Sequence, residues 1–495
     1  MPRNRIAPVL MLMILLATLL AACGQTTTTT SDTQTTAAAP TTAAVDEPAV
    51  GATEAATEAP TEEATEAATE APTEEATEAA TEEATTAATE EVTEVATEEA
   101  TTTTNETATA GADETATAGA AAELPNVSSL NIGPVKIASQ SPLSGPQSAL
   151  GTGIRNAVEL AVEQVAPKLG LEVELVALDD QATPDVGASN ANQIAADEDI
   201  MCVAGHLNSG VALAALPTYK GANLLMVSPA NTNVRITDEF GGTAYRVVGR
   251  DDVQAPVAAE YANQAGYNSV YILHDKTDYG LGVAEAFRTK AEELGMEIVG
   301  FEGTEEKSVF DSVLNPVLAV QPDAVLWGGI YSEGGPLLKQ MREKGIQAAF
   351  LGTDGLDNSE LARLAGDAVI GVEYTTVAGP PSEYPLAAQM ATDYEAKFNA
   401  PAPAFAPQGY DAAGICMTAI ALAAQEANGR PTREQVRDAM QNLGSYEGVT
   451  GPVTFDEKGD RVPATYFILK VTSADPAEFG NSEIAAKLEL GPTGE

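Results

Sequence analysis

The sequence predicts an α/β protein of two lobes behind a long acidic leader. Three observations carry this reading. Short apolar runs alternate with helix-spaced segments twice along the chain, from Val135 to Val248 and again from Ser269 to Leu351. Such alternation asks for parallel sheets covered by helices. Several apolar runs end in small polar residues, and the ~370 residues after the leader exceed one ordinary domain.

The first series opens with a strand over Val135–Ser139. A Ser/Gly/Pro loop follows from Ser141 to Gly151, and Ile154, Val158, Ala161, Val162 and Val165 then recur at helical spacing. Val173–Leu178 reads as a strand ending in Asp179-Asp180, and Pro184–Ala196 as a helix. The central stretch runs from Ile200 to Asn233. Met201–Ala204 is an apolar strand, Val211–Tyr219 a helix, and Asn223–Val227 a second strand stopped by Ser228-Pro229. Ligands of open parallel sheets sit outside the carboxyl ends of the strands. Ser209 follows the first of these strand ends, and Ser228, Asn231 and Thr232 follow the second. A helix N-terminus there offers N–H donors and a partial positive charge, which suits a carboxylate. Ser209 could equally serve only as a helix cap. Thr243–Val248 closes the series.

The second series reads as strands at Ser269–Asp275, Met296–Phe301, Ala324–Trp327 and Ala349–Leu351. Helices fall at Gly282–Glu293, Phe310–Val320 and Gly335–Glu343. The last strand ends in Gly352-Thr353-Asp354-Gly355. The chain returns through Val369–Thr376 to a long apolar helix, Asp411–Gln425, and closes with antiparallel segments at Pro452–Phe455 and Ala464–Val471.

Composition excludes several functions. The net charge is −47, so no basic surface exists for nucleic acid. The charge is concentrated: residues 24–125 hold 23 acidic residues and no Lys or Arg. Cys202 and Cys416, each in an apolar segment, are expected as separate buried thiols rather than a disulfide or a metal site. His206 and His274 show no ligand spacing, so no zinc site and no cofactor is expected. A nucleophile elbow and a phosphate loop are missing too, and the chain does not read as an enzyme.

The leader begins with Arg3 and Arg5 and an apolar run from Val9 to Leu20, too short to span a bilayer. It ends in Leu20-Ala21-Ala22-Cys23-Gly24. This resembles the bacterial lipoprotein signal, which implies a signal peptide over 1–23 and a diacylated thiol on Cys23. Two acyl chains anchor a protein stably. Residues 24–125 repeat TEAA, TEEA and TEAP units with no apolar face, and are expected to be a disordered tether. A neutral coil of ~100 residues would span roughly 50–60 Å, and charge repulsion would lengthen it.

Several segments resemble one family in the same order: KIASQSPLSGPQSALG, LDDQATPDVGASNANQIA, VAGHLNSG, LLMVSPANTN, ILHDKTDYGLG, LWGGIYSEGG, FLGTDG and GPVTFDEKGD. Together they resemble type I periplasmic binding proteins of ABC importers, and within them the leucine/isoleucine/valine-binding branch. The resemblance implies two doubly wound α/β lobes joined by a three-crossing hinge. Residues 131–249 and 377–450 would form the first lobe, and 250–376 and 451–475 the second. The crossings would fall near 248–252, 374–379 and 448–453.

It further implies that Ser209 and Thr232 hold an amino acid's carboxylate. The carbonyl of Ala230 and the carboxylate of Asp354 would hold its ammonium, with Asp354 the only carboxylate to do so. Asn231 lies in the same turn, while Tyr279, Leu150, Ile330 and Tyr331 would line the side-chain pocket. The chain departs from the family at several places. Leu150 stands where an aromatic is common, Ile330 where Tyr is common, and Asp354 where the nearest relatives carry Glu. Ala182 and Asn208 occupy the positions of a disulfide found in some relatives. The implied protein is a monomeric, lipid-anchored receptor on the extracytoplasmic face of the membrane, delivering a branched-chain or similar small amino acid to an ABC permease. The alternative is a receptor of the same fold for an amide or small organic acid, feeding a sensor or another permease.

Overall fold

The computed structural model describes residues 124–494. The signal peptide, Cys23 and all but the end of the tether lie outside the described residues.

The first sheet holds β1 (Val135–Ser141), β2 (Val173–Asp179), β3 (Ile200–Gly205), β4 (Leu225–Ser228) and β5 (Ala244–Arg246). All five are parallel, in the order β2-β1-β3-β4-β5. Helices α1 (Ser148–Leu169), α2 (Pro184–Ala196), α3 (Ser209–Gly221) and α4 (Arg235–Phe240) make its crossovers. Strand β3 is central and buried on both faces, which is why its sequence is an unbroken run of small and apolar residues.

The second half opens with α5 (Asp251–Gln264) and continues through β6 (Ser269–His274), α6 (Asp278–Glu293), β7 (Glu297–Gly303), α7 (Asp311–Val320) and β8 (Ala324–Gly328). It goes on with α8 (Tyr331–Glu343), β9 (Ala349–Gly352), α9 (Glu360–Ala365) and β10 (Glu373–Thr376). The chain then returns to the first sheet with α10 (Ala387–Phe398), α11 (Ala406–Ala427), α12 (Arg433–Ala439) and the small hairpin β11 (Tyr446–Gly448) and β12 (Gly451–Val453). It ends on the second sheet with β13 (Ala464–Lys470) and β14 (Glu483–Leu490), which add antiparallel to β10. The second sheet therefore runs β14-β13-β10-β9-β8-β6-β7. The two doubly wound lobes are those of the type I periplasmic binding protein fold. The chain passes between the sheets in the segments 247–250, 377–386 and 454–463.

Helix α11 packs along α1 and against β3 and β4. This corrects the expectation for the cysteines. Cys202 in β3 and Cys416 in α11 form a disulfide, with Cα atoms 5.8 Å apart and a sequence separation of 214. The two apolar segments read as unrelated because nothing local says that α11 returns to the first sheet. A bond of this kind persists in an oxidising compartment.

Helix α11 begins at Ala406, ahead of the expected Asp411, because Pro407 sits in its first turn, where a missing N–H costs nothing. Helix α5 was not legible. Pro256 interrupts it, and much of its buried face is the small apolar set Ala255, Ala258, Ala259 and Ala262.

Candidate functional site

The turn after β4 is built from its own hydrogen bonds. The Ser228 hydroxyl accepts from the backbone N–H groups of Ala230 (3.2 Å) and Asn231 (2.8 Å). Asn231 ties this turn to the one after β3. Its Oδ1 accepts from the His206 N–H at 3.3 Å, and its Nδ2 donates to the Leu207 carbonyl at 2.9 Å. Beneath the turn, Arg246 is fully buried. It pairs with Asp460 at 2.5 Å and donates to the carbonyls of Asn231 (3.1 Å) and Asn233 (2.9 Å). Arg250 reaches the same Asp460 at 2.7 Å. Burial alone would raise the Asp460 carboxyl, but the two guanidiniums outweigh it and hold it below the usual carboxylate range. The network fixes the turn to the third crossing segment.

Ser209 is the first residue of α3, and its side chain makes no capping bond; the N-cap position is Asn208. Its hydroxyl instead lies 3.4 Å from the Asn233 N–H, across the two turns. Thr232 is wholly buried, and its hydroxyl has no hydrogen-bond partner.

On the second lobe, Tyr279 lies near the N-terminus of α6 and points at the turn after β9. Its phenol oxygen donates to Asp354 Oδ1 at 2.9 Å, lies 2.8 Å from the Thr353 hydroxyl, and accepts from the Gly355 N–H at 2.8 Å. Burial, then the neighbouring carboxylates, push the phenol well above its ordinary pKa, so it stays a donor. Asp354 is buried too. Burial raises its carboxyl to about 7, with the bond from Tyr279 and the nearby Gln254 amide pulling the other way.

Leu150, Ser209 and Ala230 of the first lobe meet Tyr279, Ile330 and Asp354 of the second around one cavity, together with Leu207, Asn208, Gly355 and Phe405. The lobes are drawn together over it: its volume is about 20 Å³, little more than a water needs. A solute enters only when the lobes part. Contacts beside the cavity hold them closed. Asn233 Nδ2 donates to the Asp278 carbonyl at 2.7 Å, Arg235 pairs with Asp278 at 3.1 Å, and the Tyr331 phenol donates to the Pro146 carbonyl at 3.0 Å. Asn231, Thr232 and Tyr331 do not line the cavity: Asn231 joins the two turns, Tyr331 bridges the lobes, and Thr232 lies behind Ala230 in the chain.

A larger chamber of about 800 Å³ lies between Ser148–Gly153, Asp357–Glu360 and Pro476–Asn481. Its lining includes no Lys or Arg, and its two carboxylates are already engaged: Asp357 by Thr376 and Tyr374, Glu360 by Arg363. It therefore has nothing charged to set against a carboxylate.

Two residues at the site escaped the sequence reading. Phe405 closes one wall from the start of α11, with φ at 65°. Its signal was the Ala406-Pro407 pair that begins the helix. Asp251 is the first residue of α5 and is 2% exposed, yet neither of its carboxylate oxygens has a hydrogen-bond partner. Burial, and next the charge of Asp354, raise its carboxyl far above the usual range. The Thr232 hydroxyl tempers that rise without completing a hydrogen bond. Asp251 does not line the cavity; it adjoins the turn after β4, where its N–H donates to the Thr232 carbonyl at 3.0 Å.

Two α/β lobes joined by three crossing segments, meeting over an apolar cavity that carries a few polar groups, define a solute-binding protein. Residues 134–476 match the periplasmic binding protein family, and the chain belongs to it. This is a family of extracytoplasmic binding proteins, and among the described residues no helix is long and apolar enough to cross a membrane. The chain is 33% identical to the Leu/Ile/Val-binding protein homolog 1 of Brucella abortus, over 66% of this chain and 88% of that one. It is 30% identical to the leucine-, isoleucine-, valine-, threonine- and alanine-binding protein of Pseudomonas aeruginosa, over 66% and 87%. Among solved structures, the leucine binding protein of Thermotoga maritima superposes with a TM-score of 0.65 at 28% identity, covering 72% of this chain and 98% of that one.

Proposed function

We propose that this protein is a lipid-anchored receptor that delivers a branched-chain or similar small amino acid to an ABC permease. One observation carries the ligand class: Ser209 and Ala230 of one lobe face Tyr279 and Asp354 of the other across a single cavity. A zwitterion needs donors beside its carboxylate and an anion beside its ammonium. The N-terminus of α3 and the Ser209 hydroxyl supply the first. Asp354 supplies the second, and Leu150, Leu207, Ile330 and Phe405 form an apolar surround for an aliphatic side chain. The amide or organic-acid reading is weaker, because a ligand without a cation would leave the buried Asp354 carboxylate at the cavity uncompensated. The names of the relatives favour the same ligand class.

The test is a thermal-shift screen of the full chain against the natural amino acids and 4-methylpentanoate, which is leucine without its ammonium. L-leucine, L-isoleucine or L-valine should raise the midpoint and 4-methylpentanoate should not, since ligand at about 100 times its Kd adds about 2.7 kcal/mol. A shift with the acid and none with any amino acid would sink the reading. The anchor has its own test: Cys23→Ser should leave an unlipidated precursor that no longer partitions into detergent, and unchanged partitioning would refute it.

A further inference from the structure

We propose that His206 carries a proton on both ring nitrogens and, paired with Asp180, holds in place the turn that leads to Ser209. Its use to the ligand rests on the amino-acid reading above; its protonation does not.

His206 follows β3 and is wholly buried, as are Gln140, Asp180 and Tyr219 around it. Gln140 comes from β1, Asp180 lies just after β2, and Tyr219 belongs to α3. The Nδ1 of His206 is 3.6 Å from Asp180 Oδ2, and its Nε2 is 3.2 Å from the Tyr219 phenol oxygen. That oxygen is also 3.2 Å from Gln140 Oε1. Among the described residues, Asp180 is the one carboxylate within ion-pair reach of the ring.

Counting donors places the protons. Gln140 Nε2 donates to the Gly187 carbonyl at 3.0 Å, so its Oε1 faces Tyr219 as an acceptor. Burial, then the charge of Asp180, push the Tyr219 phenol well above its ordinary pKa, so it keeps its one hydrogen. Given to Gln140, that hydrogen leaves the phenol oxygen to accept from the His206 Nε2–H. On the other side of the ring, Nδ1 and Asp180 Oδ2 face each other, and neither has a hydrogen-bond partner. The other Asp180 oxygen is engaged, accepting from the Ala182 N–H at 3.0 Å. A bare Nδ1 would set its lone pair against a carboxylate oxygen out of water. A proton there serves both atoms, and imidazole is a stronger base than carboxylate. A hydrogen on Nδ1 alone would require Tyr219 to donate to Nε2, leaving Gln140 Oε1 buried without a donor. Buried polar atoms are nearly always satisfied, and the doubly protonated ring satisfies every atom in the row.

His206 does not line the cavity, so it acts through its neighbours. Its backbone N–H donates to Asn231 Oδ1 at 3.3 Å, and Asn231 Nδ2 donates to the Leu207 carbonyl at 2.9 Å. Leu207, Asn208 and Ser209, the next three residues, do line the cavity. The ring thus anchors the start of the turn whose end meets the ligand's carboxylate.

The test uses the full chain, labelled with nitrogen-15 in its two histidines, His206 and His274. His274→Gln identifies the signals of His206 by leaving them in place. At pH 7 and without ligand, wild-type His206 should show two N–H nitrogens. Asp180→Asn should leave one, at Nε2, because the amide donates to Nδ1 where the carboxylate accepted from it. A single N–H on wild-type His206 would overturn the proposal, and so would a ring still doubly protonated beside Asn. Calorimetric titration with L-leucine reads the positioning. His206→Leu should weaken binding by roughly 2- to 30-fold, the range for residues that act on a site without touching its ligand. Should it fail to fold, Tyr219→Phe, which removes one hydroxyl, should weaken leucine in the same direction. Affinity equal to wild type in the folded variant would overturn the positioning role. A wild type that binds no amino acid would overturn the ligand reading alone, and the nitrogen spectrum would still decide the protonation.

Discussion

Replacing Asp354 by Asn tests the ammonium site with the least disturbance. The amide keeps an oxygen where Oδ1 now accepts from Tyr279 at 2.9 Å, so the hydrogen bond survives and only the charge is lost. Losing one charge of a buried, hydrogen-bonded pair costs about 2–5 kcal/mol. At about 1.4 kcal/mol per decade, that is roughly 30- to 3,000-fold in Kd. Stability should move the opposite way. Asp354 is buried, with its carboxyl raised to about 7, so above that pH the folded protein holds a charge that burial opposes. The ligand-free Asn variant should therefore melt higher than wild type at pH 8. Calorimetric titration with L-leucine reads the first effect and a melting curve the second. Affinity within about threefold of wild type would mean that the ammonium is held elsewhere, or that the ligand carries none.

Ser209→Ala should weaken the same titration by a smaller factor than Asp354→Asn, because the backbone N–H groups at the start of α3 remain; a larger loss would reverse the assignment of the two ends. Asn233→Ala removes the 2.7 Å bond to the Asp278 carbonyl across the lobes. It should weaken ligand by about 2- to 10-fold, the effect of about 0.5–1.5 kcal/mol, and expand the ligand-free protein in small-angle scattering; an unchanged profile would deny the latch. Closing a loop between cysteines at a sequence separation of 214 gives the Cys202–Cys416 bond up to about 5 kcal/mol in the chain-entropy account. Thiol titration of the denatured, unreduced protein should find neither cysteine free, and Cys416→Ser should lower the melting temperature.

Those parts of the fold set by local pattern were legible in the sequence. Strand β3 is a continuous apolar run because both its faces are covered, and α1 shows a helical repeat because one face is buried. What depended on the return of the chain was not legible. Cys202 and Cys416 are ordinary buried positions until α11 is laid across β3, and no spacing rule spans 214 residues. At the site, the polar residues at strand ends stood out because ligands of open parallel sheets sit outside those ends, although Ser228 serves its own turn. Phe405 and Asp251 did not stand out. Each sits at the first turn of a helix whose start was hidden, by Pro407 in one case and by the Ala-rich, Pro256-broken α5 in the other. Asn231 and Tyr331 show the converse. Their positions suggested ligand contact, while their side chains join turn to turn and lobe to lobe.

The division of the site explains why its lobes should move. The donors suited to a carboxylate belong to the turns after β3 and β4, while Asp354 and Tyr279 belong to the second sheet. A ligand bound to one lobe alone satisfies one of its charges, and only closure satisfies both. Contacts made in the closed form and absent from the open one supply the differential free energy that shifts the population. In the closed form Asp354 is buried at the cavity and forms no ion pair among the described residues. That buried charge opposes closure, and Asn233, Arg235 and Tyr331 oppose opening with hydrogen bonds and one exposed ion pair. Hydrogen bonds of this kind and exposed ion pairs are each worth about 1 kcal/mol. An ammonium that compensates the Asp354 carboxylate therefore decides the balance, and a ligand lacking one does not.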